Sequence, residues 1–105
     1  MNERQYQTQI IHKLETYFPG CVVLKNDAGY RQGIPDLTVF YNDRWAALEI
    51  KLSVNARNQP NQTYYIQKMN DMSFAAFLYP ENEEAVFNDL QSAFRPSGEA
   101  CVSKS

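Results

Sequence analysis

The sequence predicts a mixed α/β domain, αβββαβα in order, with helices packed on a small central sheet. Three observations carry that expectation. Apolar residues recur at helical spacing near the start of the chain and again after residue 80. A central stretch, GIPDLTVFYNDRWAALEIK, alternates apolar and polar residues on either side of an Asn-Asp pair. A short apolar run, FAAFLY, is closed by a proline.

Residues 3–18 form the first helix, because Tyr6, Ile10, Leu14 and Tyr17 repeat at its period, and Ile11 and Phe18 widen the stripe. Pro19-Gly20 stops it. CVVLK, residues 21–25, reads as a short strand, and NDAGYRQG as a polar loop with two glycines. The two strands of the central stretch follow, joined through Asn42-Asp43. SVNARNQPNQ, residues 53–62, has no apolar periodicity and reads as a loop meeting a helix N-terminus near Pro60. That helix, over about 61–71, uses Tyr65, Met69 and Met72 as its apolar side. FAAFLY, residues 74–79, is a buried strand ended by Pro80. Residues 81–94 make a last amphipathic helix, its acids at the N-terminal end where the macrodipole favours them. A single domain over residues 1–94 is expected, with a flexible tail over 95–105.

Composition narrows the class. The apolar fraction of 44% and aromatic fraction of 13% belong to a folded globular chain. A net charge of −2 advertises no bulk positive field, which argues against a purely electrostatic DNA binder but not against an enzyme with a local acidic site. Cys21 and Cys101 lie far apart and form no ligand cluster, so a reducing compartment is the simpler reading. MNERQYQTQ is too polar for a signal peptide, and no run approaches the ~18 apolar residues of a membrane span. A cytoplasmic protein with no membrane partner is expected. No Cys/His zinc spacing, Gly-rich phosphate loop or Ser/Cys triad signature is present, and His12 falls off the apolar stripe.

The central hairpin poses the chemical question. With a two-residue turn at Asn42-Asp43, Tyr41 faces Arg44, Phe40 faces Trp45 and Asp36 faces Glu49. Alternation then sends Leu37, Val39, Ala46, Leu48 and Ile50 to one side, a clean aliphatic face. Asp36, Glu49 and Lys51 share the other side with Thr38, Phe40, Trp45 and Ala47. Two carboxylates opposite one another, with Cβ atoms about 5 Å apart, repel, and a cation between them reverses the sign. Mg²⁺ or Mn²⁺ suits such an oxygen site, and Lys51 on the same face can reach a water or phosphate beside it. That combination fits metal-assisted phosphodiester hydrolysis. A surface hairpin with both acids solvated, or paired to Lys51, accounts for the alternation equally well.

The ordered string Gly33-Ile34-Pro35-Asp36, then Glu49-Ile50-Lys51 one strand later, resembles the PD-(D/E)xK motif of restriction-endonuclease-like nucleases. Gly33, Pro35, Asp36 and Leu37, with Glu3 on a helix before them and Pro60-Asn61-Gln62 after, resemble the VRR-NUC family in particular. The likeness spans residues 3–94. It implies a restriction-endonuclease-like core with a mixed central sheet flanked by helices. It implies Asp36 and Glu49 as metal ligands, the Ile50 carbonyl as a third, and Lys51 as the catalytic lysine. Glu3 matches the family's N-terminal helix glutamate, and Gln62 its helix-borne glutamine near the active site. Glu3 also shares the helical face of Tyr6 and Ile10, the face expected to pack inward, although the helix dipole favours an acid there in any case. Small stand-alone members resemble phage and bacterial enzymes that act as homodimers on four-way (Holliday) DNA junctions. The resemblance therefore implies a homodimeric, Mg²⁺- or Mn²⁺-dependent junction endonuclease.

Among the basic residues, Lys25, Arg31, Arg57 and Lys68 are candidate phosphate contacts, and each is also an ordinary surface cation. Tyr64 and Tyr65 fit either base stacking or core packing. Three rivals remain: a DNA-binding module that kept the fold without catalysis, a nuclease or nickase without junction preference, and a retaining glycosidase using the two carboxylates. The intact Asp36, Glu49 and Lys51 weigh against the first. Lys51 and the single tryptophan weigh against the last.

Overall fold

The computed structural model describes residues 1–95; apart from Arg95, the expected tail, with Cys101 in it, lies outside the described residues. The elements are α1 (Glu3–Tyr17), β1 (Val22–Lys25), β2 (Leu37–Tyr41), β3 (Arg44–Ile50), α2 (Gln62–Met72), β4 (Phe74–Leu78), a 3₁₀ turn (Pro80–Asn82) and α3 (Glu83–Ala93). Their order is the αβββαβα expected. The four strands lie side by side in the order β1-β2-β3-β4. β1–β2 and β2–β3 are antiparallel, while β3–β4 is parallel, so α2 serves as the crossover that a parallel pair requires. No described helix is long and apolar enough to cross a membrane.

α1 begins at a reciprocal cap. The Asn2 side chain accepts from the Gln5 N–H at 2.8 Å, and the Gln5 side chain accepts from the Asn2 N–H at 2.9 Å. Its buried line is Tyr6, Ile10, Leu14 and then Phe18, which caps the helix. Tyr17, expected on that line, is 54% exposed. Continuing by four from Leu14 leads to Phe18, which leaves Tyr17 on the flank with its ring against Phe87.

The hairpin has the expected register, with Tyr41 opposite Arg44, Phe40 opposite Trp45 and Leu37 opposite Leu48. Asn42 takes a φ of 56°, a region Asn tolerates better than most residues, and its side chain donates to the Phe94 carbonyl at 2.9 Å. Leu37, Val39, Ala46, Leu48 and Ile50 are wholly buried on one face, under Tyr6, Ile10 and Leu14 of α1 and Val86, Phe87 and Leu90 of α3. The opposite face is covered by α2 over β3 and β4, where Ala47 and Ala75 meet Ile66. Val22, Leu24 and Phe40, farther toward β1, stay exposed.

Two expectations about α2 and β4 need correction. α2 turns Gln62 and Ile66 inward, with Tyr65 and Met69 partly buried, whereas Met72 is 64% exposed. The inner line continues from Met69 to Ser73, whose hydroxyl donates to the Trp45 carbonyl at 2.5 Å, so Met72 falls off it. β4 is an edge strand, and only Ala75 and Leu78 are fully buried. After it, Pro80 starts the 3₁₀ turn, which delays the last α-helix to Glu83.

Candidate active site

Asp36 stands one residue before β2, just beyond the last ladder pair, Leu37–Leu48, and thus beside Glu49 of β3. Its Oδ2 accepts from the Ile50 N–H at 2.8 Å, fixing the carboxylate at the ladder's end. Asn26 holds the same segment from the other side. Its N–H donates to the Asp36 carbonyl at 2.8 Å, and its side-chain amide donates to the Pro35 carbonyl at 3.0 Å and Thr38 Oγ1 at 2.9 Å.

The Gly33-Ile34-Pro35 approach to Asp36 packs on the entrance to α2. Gly33 has a φ of +94°, and a Cβ there would sit 2.6 Å from Asn61 Cβ and 2.8 Å from the Pro60 carbonyl oxygen. Only glycine fits such a close, left-handed passage. Asn61, itself at φ 71°, then starts α2 and delivers Gln62 as its first helical residue.

Gln62 ties the site together. Its Nε2 donates to Glu49 Oε2 at 2.9 Å, and its Oε1 accepts from Lys51 Nζ at 2.8 Å and from the Gln59 N–H at 2.8 Å. Lys51 Nζ donates a second hydrogen bond to the Arg57 carbonyl at 3.1 Å, and the Lys51 N–H donates to the Leu78 carbonyl of β4 at 2.8 Å. Among the described residues, Glu49, Lys51 and Gln62 are the buried polar or charged side chains, at 4%, 6% and 8% exposure. Burying such groups is costly unless every polar atom is answered.

One atom is not answered. No chain donor among the described residues reaches the buried Glu49 Oε1. The Glu49 carboxyl is pushed up to about 8, first by burial and then by the Asp36 charge, with Lys51 opposing and Glu3 adding a little. Burial also raises Asp36, against the Ile50 N–H, Glu49 and Lys51, which favour its charged form. Burial and the neighbouring Asp36 charge thus both favour the protonated form of Glu49.

This donor set fits a hard divalent cation. Two adjoining carboxylates, one with an unanswered oxygen, are what Mg²⁺ or Mn²⁺ takes from a protein, the remaining positions going to water and phosphate. No cluster of three or more His, Cys, Asp or Glu that could hold a metal occurs among the described residues.

The other expected residues fall as follows. Glu3 is exposed in the first turn of α1, because the inward line starts at Tyr6, yet its charge still reaches Glu49. Lys25, Arg31, Arg57 and Lys68 are all exposed. Arg57 enters the network through its carbonyl instead of its guanidinium. Arg31 Nη1 donates to the Tyr65 hydroxyl at 3.3 Å. Asn26 was not singled out from the sequence. Its place directly after β1 and before a polar loop gave no sign that it would bracket Asp36. No family model, curated protein or solved structure matches this chain.

Proposed function

We propose that this chain is a divalent-metal-dependent DNA endonuclease of the VRR-NUC kind, acting as a homodimer on four-way junctions. The observation that carries the reading is the buried Glu49 carboxyl beside the half-buried Asp36, whose mutual repulsion and unanswered Glu49 Oε1 a cation would relieve. Asp36 and Glu49 would hold Mg²⁺ or Mn²⁺, with the Ile50 carbonyl and Glu3 as the further contributors that the family resemblance implies. A bound ion would supply a polarised scissile phosphate and a water acidic enough to attack near neutral pH.

The chain's own residues have definable parts. The Ile50 N–H orients Asp36. Gln62 orients Glu49 and Lys51 at once, with one end of its amide on each. Lys51 uses two of its three N–H donors on Gln62 and Arg57, which leaves the third for a phosphate oxygen or the attacking water. Held beside the carboxylates, that ammonium offsets the extra negative charge that develops on phosphate in the transition state. A homodimer suits the reading because two symmetric sites can cut two strands of a junction.

The test is a labelled four-way junction and a matched linear duplex, each incubated with Mg²⁺, Mn²⁺ or EDTA, beside Asp36→Ala. Symmetric incision of the junction alone, lost in EDTA and in the variant, is expected. Cutting of both substrates would keep the nuclease and remove the junction preference. Absence of cutting under every metal condition would remove the nuclease.

A further inference from the structure

Beside the seam where the Gly33 loop meets α2 lies a group of side chains that the hydrolytic site does not use. Tyr30 is 79% exposed and Tyr64 56% exposed. They are not isolated. The Arg31 guanidinium lies 5.8 Å from the centroid of the Tyr30 ring and donates to the Tyr65 hydroxyl. The Tyr65 ring meets Tyr64 edge-on, with centroids 5.1 Å apart. Lys68, one turn beyond Tyr64, lines a shallow cleft with Tyr64, Gln67 and Asp71. The result is a continuous ledge, Tyr30–Arg31–Tyr65–Tyr64–Lys68, reaching from the loop onto the outer side of α2.

Its position gives the ledge a meaning. Arg31 is two residues before Gly33, which packs on Pro60 and Asn61. Tyr65 is three residues after Gln62, which holds Glu49 and Lys51. The ledge and the carboxylates therefore flank the same seam. Two exposed aromatic rings with cations between and beside them are the combination that grips single-stranded nucleic acid, where each base offers a π-face and each phosphate a charge. A paired duplex keeps its bases stacked inside and offers the rings nothing comparable. The chain's net charge of −2 adds little general attraction, so stacking would have to supply much of the affinity.

We propose that the Tyr30–Arg31–Tyr65–Tyr64 ledge binds unpaired nucleobases of a DNA strand next to the phosphate-cleaving site, so that a junction with unpaired nucleotides at its branch is preferred over a fully paired one. This rests on the nuclease reading for its purpose, but not for its test.

Binding is measured in EDTA, where no cleavage occurs. The probes are a labelled single-stranded oligonucleotide containing 2-aminopurine and a blunt hairpin duplex of equal length. Tyr30→Ala and Tyr64→Ala are compared with Tyr64→Phe; all three change exposed rings, and circular dichroism confirms their fold. Each alanine variant is expected to weaken single-strand binding about 5- to 100-fold and to abolish 2-aminopurine quenching, with duplex binding changed less than about twofold. Tyr64→Phe keeps a π-face and retains binding. Unchanged single-strand affinity in the alanine variants, equal losses on both probes, or no single-strand binding by the native chain would each overturn the ledge. Tyrosine-dependent binding by a protein that cuts no DNA would uphold the ledge and sink the nuclease. Junction cutting with tyrosine-independent binding would do the reverse.

Discussion

The two faces of the sheet share one alternating sequence and do opposite things. On one, Leu37, Val39, Ala46, Leu48 and Ile50 disappear completely under α1 and α3. On the other, β3 and the residue beyond it bury Glu49 and Lys51 at the edge of α2, where small Ala47 and Ala75 let the helix approach. The first face lowers free energy by removing apolar area from water. The second raises it by withdrawing charge from water, and recovers part through Gln62 and the surrounding carbonyls. Substitutions on the two faces should therefore differ in sign as well as size.

The largest effect belongs to the aliphatic face. Leu48→Ala should lower stability by about 2–5 kcal/mol in urea unfolding, since it opens a cavity in the centre of the sheet. A loss under about 1 kcal/mol would mean that this face is not the main core.

Gly33→Ala joins the two faces' logic, because it strains the backbone and drives a Cβ into Asn61. A loss of about 1–3 kcal/mol is expected, together with poor DNA cleavage as Gln62 is displaced. Gly20→Ala is the control. Its φ of +90° is similar, but nothing lies within 4 Å of the added Cβ, so only backbone strain of about 1 kcal/mol applies. Equal losses at the two glycines would show that the close approach of the Gly33 loop to α2 is unimportant.

The remaining effect has the opposite sign. Without metal, the folded state holds the Glu49 proton up to about 8, whereas the unfolded chain gives it up near the ordinary 4.5. Folding therefore binds a proton between those values, and stability falls as pH rises through the window. Glu49→Gln removes the titration and keeps an acceptor for Gln62. Its stability should be nearly flat there and should exceed the native chain's at pH 8, read as a higher melting temperature in EDTA. A native chain whose stability rises through the same window would contradict the assigned protonation.

Much of this contrast was legible in the sequence because strand alternation has a period of two. Once Asn42-Asp43 is taken as the turn, the five aliphatic positions and the Asp36, Glu49 and Lys51 set follow, and the structure has that register. Helical faces are less forgiving, since a stripe one residue over can look equally periodic. Tyr65, Met69 and Met72 satisfied the spacing in α2, while the real inner line begins with polar Gln62 because it faces the site. The contacts that position the site were hidden for another reason. Asn26 over Asp36, Gly33 against Asn61, and the Arg57 carbonyl on Lys51 are backbone or loop contacts set by tertiary packing, with no period to announce them. Glu3 shows the same limit at a helix end, close enough to influence Glu49 yet outside the buried line.

The most direct measurement is Mn²⁺ titration of the native chain, Asp36→Asn and Glu49→Gln by calorimetry at pH 7, in two buffers of different ionisation heat. Saturable binding to the native chain is expected, lost in both variants, with release of about one proton as the ion displaces the Glu49 proton. Binding that survives either substitution, or no binding at all, would contradict a cation site at Asp36 and Glu49.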